Sequence, residues 1–122
     1  MRAKGGRGVS KLTYILQGRT VVPEPDIVKW ARWFETADRR VALTELTEYD
    51  VKISTVFLGV DYGMGDCRPL LFETLVFGGV MDGDMIRTSS WTGAEEAHTR
   101  MVMRVRITEE KEAERERRTM TC

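Results

Sequence analysis

Glu73 is the residue whose type and surroundings most strongly suggest chemistry. It lies in the apolar, β-prone segment 70–77, which predicts a carboxylate on an apolar strand face. Loss of solvation is the condition under which a carboxylate serves as general acid or base near neutral pH. The alternative is an ion pair with Arg39, Arg40 or Arg87 on a neighbouring strand, in which Glu73 only orders the sheet.

A second group of candidates combines the polar loop 61–68 with His98, the single histidine. The loop carries Asp61, Asp66 and Cys67, and a Cys–His pair can act as nucleophile and base, while Asp, Cys and His all bind zinc. The spacing supports neither role, because the sequence has no C-x-x-C and no H-E-x-x-H. We therefore predict no metal and no cofactor, and expect His98 to be a partly buried helix residue with one hydrogen-bonded ring nitrogen.

Aromatic and arginine side chains form a third group, which suits a nucleotide ligand. An aromatic ring stacks on a base and a guanidinium grips phosphate. The candidates are Trp33, Trp91, Arg39, Arg40 and Arg68. The alternative is that the tryptophans belong to the core and the arginines are solvated. No G-x-G-x-x-G stands between a strand and a helix, and there is no P-loop motif, which argues against a dinucleotide fold.

Composition limits the classes of protein. The chain has 122 residues, with 19 basic and 19 acidic side chains, so no net charge attracts it to nucleic acid. Because the sequence has no long apolar run, we expect no membrane helix and no signal peptide. Two cysteines are too few for a disulfide framework and favour a reducing compartment such as the cytoplasm. We expect a flexible basic arm over 1–11, one domain over 12–107, and a charged tail over 108–122 that is helical or disordered.

The N-terminal half predicts two short strands and a helix. The strands span 12–16 and 20–22, and the prolines at 23 and 25 mark the helix start, with Glu24 or Asp26 as cap. The expected buried stripe of this helix has the spacing i, i+3, i+4, i+7. It comprises Ile27, Trp30, Ala31 and Phe34.

The remaining pattern predicts strands over 39–46, 51–60, 70–77 and 84–91. The strands at 51–60 and 70–77 are apolar on both faces, which indicates cover on both sides. We expect a bulge at Gly78-Gly79 and a two-residue turn at Asp82-Gly83. The short links predict an α+β fold, an antiparallel meander of about four to five strands with an N-terminal and a C-terminal helix packed on it.

The C-terminal helix has the clearest pattern. Thr92 and Glu95 have capping-box spacing. The expected buried stripe that follows comprises Ala94, Ala97, His98, Met101 and Val105. In the charged continuation, Glu112 with Arg115 and Glu114 with Arg118 have the spacing of helical ion pairs.

Four segments, in this order, resemble a family of small phage- and prophage-encoded proteins over roughly residues 12–105. They are WARWFETADRRVA (30–42), STVFLGVD (54–61), LLFETLVFGG (70–79) and WTGAEEAH (91–98). The resemblance implies an accessory gene expressed in the cytoplasm of an infected bacterium. It carries over no catalytic or binding residues, and the glycine-rich arm and charged tail depart from the family pattern.

Three functions follow as hypotheses. The first is an accessory protein that performs no catalysis and binds a host protein or itself, with an exposed Trp33, Trp91 or methionine-bearing helix face as the contact. The second is a binder of a nucleotide or second messenger that counters host defence. The third is a small hydrolase or transferase that uses Glu73 with Asp61 or His98.

Overall fold

The computed structural model describes residues 12–63 and 68–121. The elements are β1 (Tyr14–Gln17), β2 (Thr20–Pro23), α1 (Ile27–Thr36), β3 (Arg40–Leu46), β4 (Val51–Phe57), β5 (Phe72–Phe77), β6 (Met85–Thr88) and α2 (Trp91–Thr121). β1 and β2 form a small hairpin, and β3 to β6 form a four-stranded antiparallel sheet in chain order. The expected α+β fold is confirmed.

Local signals determine where α1 begins. The carboxylate of Asp26 accepts hydrogen bonds from the backbone N–H groups of Val28 (3.0 Å) and Lys29 (3.2 Å), so Asp26 is the N-cap. This arrangement satisfies two donors that have no partner within the helix. The helix ends at Thr36, with Ala37 as C-cap.

The buried face of α1 differs from the expected one. Ile27 is 59% exposed and Ala31 is also exposed, whereas Trp33, expected off the stripe, packs edge-on against Phe57 of β4 with ring centroids 5.8 Å apart. Trp30 donates its indole N–H to the carbonyl of Tyr14 (2.9 Å). The contact with the β1–β2 hairpin and the end of β4 sets the face, and period alone does not specify that contact.

The four-stranded sheet has one covered face. Val51, Ile53, Thr55 and Phe57 alternate along β4 and are all buried on the side against which α2 packs. The ring contact with Trp33 places α1 on that same side. The expected cover on both sides is therefore wrong for the described residues, which place both helices on one face.

The connection between β5 and β6 is longer than expected. Gly78 and Gly79 form no bulge, and the two strands are joined by the seven-residue segment 78–84. The expected turn at Asp82-Gly83 lies within this segment, where Asp84 N–H donates to the carbonyl of Met81 (3.0 Å). A Cβ on Gly79, whose φ is +75°, would lie 2.3 Å from a carboxylate oxygen of Glu109, so the approach of α2 requires glycine there. The one register shift in the described sheet lies between Arg40 and Ala42.

α2 begins two residues earlier than the capping box predicts. Ser90 accepts a hydrogen bond from Gly93 N–H (3.0 Å) and so takes the place that was assigned to Thr92, which is exposed. The whole expected stripe, from Ala94 to Val105, is buried. The helix continues through the charged segment, where Glu112 pairs with Arg115 at 2.6 Å and Glu114 with Arg118 at 3.7 Å. None of the helices described is both long and apolar enough to cross a membrane.

Two apolar clusters lie between α2 and the sheet. One comprises Leu46, Val51, Ile53, Val76, Met81, Met101 and Val105. The other comprises Tyr14, Phe57, Leu71, Phe72 and Ala94, next to the β1–β2 hairpin and α1. Burial of these side chains is the main favourable contribution to folding, at roughly 25 cal/mol per Å² of apolar surface.

Glu109 anchors α2 to the loop 78–84. It is only 9% exposed, and its carboxylate accepts a hydrogen bond from Val80 N–H (2.7 Å). We expect Glu109→Ala to lower the free energy of unfolding by about 1–3 kcal/mol, because it leaves a half-buried N–H without its acceptor. Urea unfolding measures the loss of stability. The matched control is Glu110→Ala, because Glu110 is the exposed neighbour of Glu109. Equal stability of the two variants would contradict the anchoring role.

Candidate functional site

His98 lies on the covered face, between the two apolar clusters. Its Nε2 is 2.8 Å from the hydroxyl of Thr44, its Nδ1 is 2.8 Å from the hydroxyl of Thr55, and Thr55 is 2.7 Å from the hydroxyl of Thr74. Both ring nitrogens are therefore hydrogen-bonded, where the sequence led us to expect one. Burial lowers the pKa of His98 from 6.5, because desolvation disfavours the imidazolium.

This network suits a neutral, structural histidine. A threonine hydroxyl both donates and accepts, so either imidazole tautomer can be satisfied by reorienting the hydroxyl hydrogens. The side chain is 7% exposed and its hydrogen-bonding partners are uncharged. The arrangement positions α2 over β3, β4 and β5 and leaves neither ring nitrogen free for a substrate.

Asp61 has a local structural role. One carboxylate oxygen accepts hydrogen bonds from the N–H groups of Gly63 (2.7 Å) and Leu70 (2.9 Å), so it holds together the two ends of the loop that joins β4 to β5. Its charge also raises the pKa of Tyr14, after the larger effect of burial. Asp66 and Cys67, named with it from the sequence, lie outside the described residues.

Glu73 lies on the face opposite His98. Its carboxylate is 3.1 Å from the guanidinium of Arg87 on β6, the partner that the ion-pair alternative included, and the Glu73 side chain is 18% exposed. Arg87 also lies over the ring of Tyr62, 4.8 Å from its centroid. Leu71, two residues before Glu73, belongs to the core on the other side of the sheet.

Most of the residues proposed to bind a nucleotide make contacts within the fold. Trp33, Phe57, Phe72 and Trp91 form a continuous series of edge-on ring contacts, with centroids 5.2 to 6.3 Å apart, so both candidate tryptophans pack internally. Arg39 donates to the carbonyl of Phe57 (2.8 Å) and lies over the Phe34 ring.

The remaining candidates do not complete a catalytic group. Arg40 and Arg68 are exposed, and Glu73 and His98 are separated by the thickness of the sheet. Within the ranges 12–63 and 68–121, no three His, Cys, Asp or Glu side chains are grouped as a metal site requires.

The most unusual surface is the second side of the four-stranded sheet, here named the open face. The strand register arranges its side chains in three rows perpendicular to the strands. The first row is Arg40, Val56, Glu73 and Arg87; the apolar row is Leu43, Ser54, Leu75 and Met85; the third row is Glu45, Lys52 and Phe77. No described helix packs on any of the three rows.

The apolar row crosses the middle of the open face. Leu43 and Met85, on the two edge strands, are 37% and 45% exposed, and Phe77 in the third row is 47% exposed. Leu75, on a central strand, is half-buried. An apolar row flanked by charged groups, with Glu73–Arg87 on one side and Glu45–Lys52 (3.9 Å) on the other, is typical of a protein-binding surface.

None of the candidates named from the sequence marks this surface as a site. A signal is present, because the strands at 51–60 and 70–77 are apolar on both faces. That pattern predicts cover on both sides of the sheet. It is equally the pattern of a sheet face that a separate molecule covers.

No protein-family model, no curated protein and no solved structure matches this chain. The resemblance to phage and prophage proteins therefore stays a prediction.

The network around His98 predicts how stability depends on pH. Because the folded-state pKa lies below 6.5, acidification protonates the unfolded chain first, so the free energy of unfolding falls as pH drops below about 6.5. The contribution of one titrating group to the slope is at most about 1.4 kcal/mol per pH unit. Urea unfolding from pH 7.5 to 5 measures it.

The control for this prediction is His98→Gln, which removes the titrating group. The difference between the wild-type and variant curves cancels the contributions of the carboxylates. We expect that difference to shrink on acidification. A difference that is independent of pH would show that His98 is not held neutral by burial.

Proposed function

We propose that the protein acts by binding another protein surface through the open face and not by catalysis. The observation that carries the proposal is the uncovered apolar row. When only one face of a sheet is packed, the other face is normally polar, because apolar side chains that point inward alternate with polar side chains that point to solvent. Here Leu43, Leu75 and Met85 lie on the bare side.

The expected cellular setting supports the same reading. The resemblance to phage-encoded proteins implies the cytoplasm of a bacterial host, a setting that suits a small accessory protein associating with a host protein or with itself. The aromatic anchors expected for such an interface were Trp33 and Trp91. Both pack internally, so the proposal places the contact on the apolar row instead.

The two alternatives lack a comparable observation. Nucleotide binding requires a ring and a guanidinium that are both available, whereas Arg39 and Trp33 already contact Phe57. Hydrolysis by Glu73 with His98 or Asp61 requires groups within reach of one substrate. Glu73 and His98 occupy opposite faces of the sheet.

Substitution at the centre of the open face tests the proposal. We expect Leu75→Glu to abolish assembly, because it introduces a charge into the middle of the apolar row. The chain is isolated from a bacterial extract, and its assemblies are weighed by native mass spectrometry. The matched control is Ile27→Glu, which places the same charge at an exposed apolar residue of α1 and is expected to retain the assembly.

Three outcomes would contradict binding through the open face. They are a wild-type chain recovered alone, a Leu75→Glu chain that keeps the assembly, and a small molecule released on denaturation in place of a protein. Circular dichroism establishes that the variant is folded. Should Leu75→Glu unfold, Met85→Glu on edge strand β6 replaces it, since Met85 is already 45% exposed.

A further inference from the structure

Resting on the proposed function, we infer that the occupant of the open face is a second copy of this chain, packed face to face as a two-fold dimer. The argument comes from the distribution of charge on either side of the apolar row. A surface that binds its own copy must be self-complementary under the two-fold rotation.

The two flanking rows differ in net charge. In the first row Arg40 and Arg87 stand against Glu73, which leaves one net positive charge. In the third row Glu45 and Lys52 cancel.

The end of the sheet beside the third row also carries two exposed acidic residues. Asp50 directly precedes β4 and Asp84 directly precedes β6. The first row of the open face is therefore net positive, whereas its third row is neutral and includes the carboxylate of Glu45.

This polarity selects the orientation of the second copy. A two-fold axis parallel to the strands would place the first row on the first row of the second copy, so Arg40 would face Arg87 of that copy. A two-fold axis along the apolar row reverses the strand direction. It places the first row against the third, so Arg40 on edge strand β3 faces Glu45 of the second copy's β3.

The same rotation lays the apolar row on itself. Leu43, Leu75 and Met85 then meet their own counterparts across the interface, and Ser54 is the only polar member of the row. Face-to-face sheets pack about 10 Å apart with strands within about 30° of each other, so the rows remain aligned. The dimer is a β-sandwich with helices on both outer sides.

Residues 1–11 are a less suitable occupant by their composition. They include Arg2, Lys4, Arg7 and Lys11 and offer few apolar side chains to an apolar row. A second copy supplies the matching apolar row and the matching charges together.

Sedimentation velocity of the purified chain from 1 to 100 µM tests the inference. We expect a reversible dimer that becomes a monomer in Leu75→Glu and remains a dimer in Ile27→Glu. Leu43→Glu is a second variant that we expect to disrupt the dimer. Leu43 lies on edge strand β3 and is 37% exposed. A wild-type monomer at 100 µM, or a dimer unaffected by both open-face variants, overturns the inference.

Charge reversal on β3 tests the orientation. We expect Arg40→Glu and Glu45→Arg each to weaken the dimer about three- to tenfold, since exposed ion pairs contribute modestly. The double variant, which exchanges the two charges, is expected to return to within about twofold of wild type. A tighter dimer in Arg40→Glu alone would indicate the other axis, with Arg40 opposite Arg87, and overturn the orientation.

The experiments separate this inference from the proposed function. A purified chain that is monomeric, yet assembles with a different protein in the extract and loses it on Leu75→Glu, overturns the second copy and leaves the open face as the binding surface. An assembly retained by Leu75→Glu overturns both.

Discussion

The position of α2 on the sheet depends on a hydrogen-bond network in which His98 contacts Thr44 and Thr55, and Thr55 contacts Thr74. The apolar contacts on either side of this network allow α2 to shift slightly along the sheet, because a stripe of alanine, valine and methionine fits a pleated surface at more than one register. The His98 hydrogen bonds do not allow such a shift, since the ring nitrogens must lie 2.8 Å from the hydroxyls of Thr44 and Thr55. A shift of one helical turn would leave buried polar groups without partners, so the network makes one register the stable one.

Once α2 is fixed in this way, the rest of the architecture follows. The β1–β2 hairpin and α1 pack beside the N-terminal part of α2, through the ring contacts that run from Trp33 to Trp91, and so occupy the same side of the sheet. Glu109 holds the loop 78–84 against the later part of α2. The described helices and the β1–β2 hairpin therefore pack on one face of the sheet, and no described helix lies over the side chains that alternate to the other face.

Sequence patterns predicted most elements and the inward stripe of α2, because caps, turn residues and periodicity act over a few neighbouring positions. They predicted less well wherever a distant contact decides the outcome. The inward face of α1 depends on Phe57, and the length of the β5–β6 connection depends on Glu109. The error that matters for function has the same origin. Alternation along β4 and β5 specifies which side chains share a face, but no local signal specifies what covers that face.

The composition of the open face also bears on how a partner would be held. A continuous apolar face would favour a permanent assembly, whereas this face interrupts its apolar row with Ser54 and borders it with the Glu73–Arg87 and Glu45–Lys52 pairs. Charged borders contribute more to orientation and association rate than to affinity. The half-buried pair of Glu73 and Arg87 is already satisfied within one chain, so separating the partners would expose no unpaired buried charge. The proposed interface is therefore of the reversible kind, in which the apolar row supplies the affinity and the flanking charges determine the orientation.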